Sequence, residues 1–342
     1  MNGGSKMEIK HQFLAQPSPR DSRDYPVTAV APKLNTFPSE FRIPYYGVVK
    51  NQGEIGSCVA HSLSYTREIQ EDEQSGEYKK FSVGFIYGNR QPGDLQDEGM
   101  YPREALNGLV KYGVVTNDLF PYNLTYPQVK QKLLPIMPSL IEQAKPYRIS
   151  SYFRINTIDE LKSALMNVGP VTGCFPIWES IYTVNSLNTI IPMPPKMDTP
   201  TNKFLGYHEM TVVGWRSDGN LIILNSWGAE WADKGYAYMN PNYPVAEFWG
   251  ITDQITRDNV TETGYFTLLI QQFITIKDLA FSYAEDLKGR GLKDTFVMFN
   301  EESQIYEIHV GYFTDTNSPV IAETMDKLNS LNIPCTLVNR GQ

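Results

Sequence analysis

Cysteine is scarce in this chain: Cys58, Cys174 and Cys335 are the only three in 342 residues. They are widely spaced, so they make neither a disulfide framework nor a metal-ligand cluster, and no metal or cofactor is expected. Cys174 and Cys335 read as small apolar filler in strands. A reducing compartment is compatible with so few thiols. Long apolar runs are also missing, so no membrane span is expected. The N-terminus, Met1-Asn2-Gly3-Gly4-Ser5-Lys6-Met7, has no apolar signal core, and Met7 can be the natural start. Positive charge is in deficit. A net charge of −8 argues against a nucleic-acid binder, because neutralising phosphates needs clustered Lys and Arg.

What is present is ordinary for a soluble globular chain long enough for two domains. Residues 1–37 are polar and rich in proline, notably from Gln16 to Pro26, and read as an extended arm. From Pro38 the texture becomes compact. Ser57 to Gln70 reads as a helix, with Ser57 as cap and Val59, Leu63, Thr66 and Ile69 at helical spacing. Arg103 to Lys111 reads as a second helix, stopped by Gly113. Thr157 caps a third over Ile158 to Asn167. Strand-like runs follow at Met210–Val213, Leu221–Leu224 and Tyr236–Met239. A helical half is therefore followed by a β half, an α+β arrangement in two lobes. From about Gly264 a βαβ pattern occurs twice. The matched strands are Phe266–Ile270 and Tyr306–Val310. The helices are Ser282–Lys288 and Val320–Leu328, and the closing strands are Thr295–Met298 and Cys335–Val338. They predict a small four-stranded sheet with two helices on one face.

Three blocks carry chemistry: Gln52-Gly53-Glu54-Ile55-Gly56-Ser57-Cys58, then His208, then Asn225-Ser226-Trp227-Gly228. A thiol at a helix N-terminus beside a histidine gains thiolate character. Cys58 is thus the candidate nucleophile and His208 the candidate base. Asn225, on the next strand, can accept the far ring N–H of His208 and fix its tautomer. Trp227 can shield that hydrogen bond from water. The Cys58 N–H and the Gln52 side chain are candidate donors to an oxyanion. Together they predict acyl transfer on a peptide or protein substrate. His61 reads as a buried, hydrogen-bonded helix residue. His11 and His309 receive no role.

These blocks resemble the papain-like (C1 family) cysteine peptidases, over roughly Pro38 to Gln254. Trp231, Gly235-Tyr236, Gly169-Pro170-Val171 and Phe120-Pro121-Tyr122 fit the same pattern. The resemblance implies a two-lobed fold, with a helical lobe and a β-barrel-like lobe, over residues 38–258. It implies that Cys58, His208, Asn225 and Gln52 form the site. It departs at three positions. Ile55 stands where the family has a disulfide-bonded cysteine. Val59 replaces an aromatic, and Ala232 replaces a glycine. The family binds substrate backbone at a glycine pair, matched here by Glu98-Gly99. Met100 and Tyr101 would then line the pocket for the side chain before the cleaved residue. Glu209 is expected to face that pocket and, with Glu98, to favour basic side chains. Trp231 is a further expected substrate contact.

The arm is much shorter than the family's usual inhibitory prosegment. It is expected either to plug the cleft, anchored by residues 20–25, or to pack elsewhere. Residues 264–342 resemble a SPOR (sporulation-related repeat) domain through Tyr306–Phe313, Val320–Leu328 and Ile333–Val338. That resemblance implies binding to peptidoglycan glycan strands and a bacterial setting, cytoplasmic or associated with the spore or cell envelope. A plain ferredoxin-like βαββαβ module is the alternative. A catalytically inactive scaffold, or a cell-wall peptide amidase or transpeptidase with the same thiol chemistry, are the rival functions.

Overall fold

The computed structural model describes residues 11–21, 24, 34, 36–253, 266–274, 277–292, 295–300, 305–313 and 319–339. Residues Met1 to Lys6 and the boundary between 258 and 264 lie outside the described residues. So do Ser22, Arg23 and Tyr25 of the expected anchor. The chain divides into two units, Met1–Thr256 and Arg257–Gln342.

In the first unit, strand β1 (Phe41–Arg42) precedes the helices α1 (Cys58–Ser75), α2 (Val83–Gly88), α3 (Pro102–Lys111), α4 (Tyr126–Leu133) and α5 (Met137–Ala144). Then come β2 (Ile149–Ile155), α6 (Ile158–Asn167), β3 (Val171–Trp178), β4 (Ile190–Ile191), β5 (Phe204–Trp215), β6 (Leu221–Leu224), β7 (Tyr236–Met239) and β8 (Glu247–Asp253). The sheet runs β2-β8-β3-β5-β6-β7-β4, with β1 added to β5. The helical half is thus followed by a β half, as the sequence texture suggests.

Helix α1 lies between two apolar cores. Val59, Ala60 and Leu63 face the helical side, whereas Tyr65 and Ile69 face the sheet side. Its charged residues are buried too, so they need partners. Glu68 receives hydrogen bonds from Lys50 Nζ at 2.6 Å, Tyr45 OH at 2.7 Å and Phe81 N–H at 2.8 Å. The helix stops at Gly76, whose φ of 67° suits glycine and whose N–H bonds Asp72 O. Ser57 does not cap through its side chain. Its hydroxyl meets His61 Nδ1 at 3.2 Å instead, and His61 is buried as expected.

Three adjacent antiparallel strands bring a polar row together. Cys174 on β3 pairs with Glu209 on β5 and with Glu247 on β8. Directly paired residues share a face of the sheet. Such a row was invisible in sequence because, although Cys174 was expected in a strand, its neighbours in the sheet were not foreseen and β8 was not foreseen at all.

The second unit has the order β9 (Phe266–Ile274), α7 (Lys277–Gly289), β10 (Thr295–Asn300), β11 (Ile305–Phe313), α8 (Pro319–Ser330), β12 (Cys335–Asn339). Its sheet is antiparallel in the order β10-β11-β9-β12. Ala280, Ala284 and Leu287 of α7 and Ile321 and Leu328 of α8 share one core with Leu268, Ile270, Ile308 and Val310.

Candidate active site

The histidine and the asparagine meet because of strand register. Thr211 on β5 pairs with Leu224 on β6, so Asn225 falls one step beyond, opposite Met210. His208 lies two residues from Met210, on the same face of the sheet. Its Nε2 lies 2.8 Å from Asn225 Oδ1. Oδ1 also accepts the Ser226 N–H at 2.8 Å, which fixes it as the amide oxygen. Nε2 is therefore the ring donor, and Nδ1 carries the lone pair. Among the described residues, Nδ1 is buried without a hydrogen-bond partner. Trp227 stacks on the ring, with centroids 5.1 Å apart, and Trp231 packs edge-on against Trp227 at 5.2 Å.

Cys58 opens α1 and is fully buried. Burial pushes its thiol up to about 11, although backbone N–H groups of Glu209, Val59 and Ala15 favour the thiolate. Burial also draws His208 down to about 4, against the Asn225 hydrogen bond. Thiol and imidazole are both neutral in this state.

Gln52 is held on three sides. Its N–H bonds Ser226 O at 2.8 Å. Its Oε1 accepts from Ser226 Oγ at 2.6 Å, and one amide hydrogen goes to Ile55 O at 2.9 Å. The second amide hydrogen remains for another acceptor. Ser226 orients both Gln52 and Asn225, a task the sequence did not suggest for it.

Residues 11–16 of the arm lie in the cleft between the lobes. His11 stacks on Trp227 at 4.2 Å with planes 2° apart, and its Nδ1 is 3.0 Å from Gly53 O. Phe13 sets its edge against His208 and Trp227. Ala15 N–H bonds Tyr207 O at 3.2 Å, Met100 N–H bonds Leu14 O at 3.3 Å, and Gln16 N–H bonds Met100 O at 3.0 Å. Ala15 pairs parallel to Met100. Two glycines permit this approach. A Cβ on Gly99 would lie 2.7 Å from Leu14 O, and one on Gly206, at φ +132°, would lie 2.4 Å from Phe13 O.

Farther along, Ser18 N–H bonds Glu247 Oε1 at 2.9 Å, and Arg103 N–H bonds Ser18 Oγ at 3.1 Å. Asp24 then pairs with Arg103 and Arg154. Phe13, Glu247 and Arg154 were not singled out in sequence, His11 was given no role, and Arg103 was read only as a helix start. The only signal was the alternation of Asp and Arg over residues 20–24.

The expected pocket residues divide. Met100 binds arm backbone through both its N–H and its C=O, next to the Glu98-Gly99 pair expected to bind substrate backbone. Tyr101 is half-buried, and its N–H bonds Asp94 Oδ1. Glu98 is engaged in the helical lobe, where Tyr87 OH donates to its Oε2 at 2.7 Å and the Tyr126 N–H bonds its carboxylate. The residue itself is half-buried. Glu209 is buried, and desolvation, with help from Glu247, lifts its carboxyl to about 8. Thr172 donates to its Oε1 at 2.6 Å. Among the described residues, no group of three or more His, Cys, Asp or Glu could hold a metal ion.

The family model described as "Papain family cysteine protease" matches residues 42–256. An uncharacterized peptidase C1-like protein of Acanthamoeba polyphaga mimivirus is 28% identical over 59% of this chain and 69% of its own length. Cysteine proteinase 2 of Zea mays is 26% identical over 56% of this chain, which spans only 51% of that protein. Among solved structures, xylellain, a cysteine protease from Xylella fastidiosa, superposes with a TM-score of 0.56 at 24% identity, covering 71% of this chain and 97% of that one.

Proposed function

Since the chain belongs to the papain family of cysteine proteases, we propose that it hydrolyses peptide bonds through Cys58, His208, Asn225 and Gln52. The observation that carries this reading is the His208 ring, locked through Nε2 to Asn225 with its Nδ1 left open. Cys58 gives its proton to Nδ1 and attacks the substrate carbonyl carbon. The oxyanion accepts from the Cys58 N–H, which has no intrahelical acceptor in the first turn of α1, and from the second Gln52 amide hydrogen. His208 then protonates the leaving amine, and water releases the acyl group from sulfur. Mass spectrometry of a mixed peptide library, with Cys58→Ala as control, tests this. Identical product patterns from the two chains would favour the inactive scaffold. Transfer of the acyl group to added amines in place of water would favour the transpeptidase reading.

The arm is read as a cleft plug that runs backwards. A productive substrate has its acyl half N-terminal to the cleaved bond, and its leaving half beside His208. The arm has its earlier residues, His11 and Phe13, at Trp227 and His208, and its later ones at Met100 and Glu247. Its parallel pairing with Met100 supports that reversed polarity. Reversed, its carbonyls are not offered to Cys58 with a leaving amine at His208.

Glu209 is read as a specificity group whose buried carboxyl gains a counter-ion from a basic substrate side chain. A peptide library showing strong preference for Leu or Phe over Lys and Arg would refute it. The second unit is read as a ferredoxin-like module of SPOR type that binds peptidoglycan glycan strands, which implies a bacterial envelope or spore setting. Its strand order and paired helices support the topology. Retention of the chain on purified sacculi tests the ligand, and failure to bind would leave a packing or dimerisation module. Among the described residues, no helix is long and apolar enough to cross a membrane.

A further inference from the structure

We propose that Arg103 and Arg154 form a carboxylate-binding subsite on the acyl side of the cleft, which the chain's own Asp24 fills at rest. The inference rests on the peptide-binding reading of the cleft given above. Arg103 reaches Asp24 with two nitrogens, Nε to Oδ1 at 2.9 Å and Nη2 to Oδ2 at 2.6 Å. Arg154 Nε reaches the same Oδ2 at 3.1 Å. Two further donors are engaged. Arg103 Nη1 bonds Pro19 O at 2.5 Å, and Arg154 Nη2 bonds Glu247 Oε2 at 2.8 Å. Both guanidinium planes lie over the Trp249 ring, at 5.4 and 4.5 Å from its centroid. The indole is a support for the fork that does not come from the arm.

Charge balance says what the site requires. With the arm in place, two guanidinium groups face two carboxylates, Asp24 and Glu247. When the arm leaves, one carboxylate goes with it. With the arm in place the two arginine side chains are 11% and 8% exposed, and a guanidinium does not shed its proton. Departure of the arm uncovers the fork and leaves one positive charge without its carboxylate. Arg103 lies three residues beyond Met100, whose backbone pairs with the arm. A substrate bound along that edge carries its acyl-side residues past the fork, where an Asp or Glu side chain replaces Asp24.

The test uses the full chain carrying Asp24→Asn, which empties the fork of its charge while leaving a side chain of the same shape. Fluorescent peptides bearing Asp or Asn at successive acyl-side positions are compared. Binding is read in the Cys58→Ala background, and turnover with Cys58 intact. At one position the Asp peptide is expected to bind about 10-fold more tightly than its Asn twin, the scale of a charge-assisted bidentate pair. Adding Arg103→Gln is expected to bring that ratio to about one, whereas Arg103→Lys, with charge but no fork, should keep part of it. Equal binding at every position, or a preference that survives Arg103→Gln, overturns the proposal. Repeating the comparison with Phe13→Ala added loosens the arm itself, and absence of any peptide binding in both backgrounds also overturns it. Turnover without acid preference refutes the subsite but not the peptidase. Acid preference in binding, with no turnover, does the reverse.

Discussion

At the scale of single residues, the state of Cys58 and His208 follows from what covers them. A thiol pushed up to about 11 stays protonated at neutral pH, and an imidazole drawn down to about 4 stays uncharged. Alkylation of Cys58 by iodoacetamide should therefore climb with pH well beyond 8, as the thiolate fraction grows. A rate already saturated at pH 6 would contradict this buried, neutral pair. Gln52 acts at a later moment. If its free amide hydrogen meets the oxyanion, Gln52→Ala should lower kcat by about 100- to 1,000-fold with a smaller change in KM. Loss confined to KM would return Gln52 to a purely structural role, for which its bonds to Ile55 and Ser226 already suffice. These residue identities were readable from the chain, because thiol, imidazole and two amides form a rare combination. Ser226 was not, because a serine in a loop has no pattern until Asn225 and Gln52 are seen on either side of it.

Among the elements, β3, β5 and β8 decide the character of the cleft wall by laying Glu209, Cys174 and Glu247 side by side. A carboxyl that titrates near 4.5 when solvated and near 8 when folded favours the fold in its protonated form. Its contribution is fully present below about pH 4.5 and is lost as pH rises toward 8. Glu209→Gln removes that loss. Relative to the parent chain, the variant should gain stability between pH 5 and pH 8, on the order of a few kcal/mol at most, at about 1.4 kcal/mol per pH unit. Urea unfolding at both pH values reads it, and a difference that does not change with pH would exclude Glu209 as the titrating group. Helix α1 was legible from spacing, although its expected Ser57 side-chain cap is not made, and α3 and α6 from their ends and, for α6, its Thr157 cap. Strand β8 was not, and the bounds of the strand around Cys174 were not, because strands buried on both faces show no alternation.

For the whole molecule, the arm is the feature with the largest consequence. Phe13 is its main apolar anchor, with its edge against His208 and Trp227. Phe13→Ala should raise both peptide turnover and the rate at which an epoxide inhibitor labels Cys58. Equal rates for variant and parent would rule out the plug. By itself the sequence determined the order of helical and β halves and the repeated βαβ pattern, and it nominated Cys58, His208, Asn225 and Gln52 as the candidates proposed for the site, because local periodicity and side-chain chemistry are written in neighbouring residues. The course of residues 11–21 and the placing of Asp24 were decided only by tertiary structure. A polar, proline-rich segment has no periodicity of its own, and it takes its path from partners far along the chain: backbone at Met100 and Tyr207, ring faces at Trp227 and His208, and the guanidinium pair of Arg103 and Arg154. The same holds for Glu98, an acidic candidate in sequence that the fold commits to Tyr87 and Tyr126. Which residues a carboxylate meets depends on long-range packing, and a linear reading does not contain it.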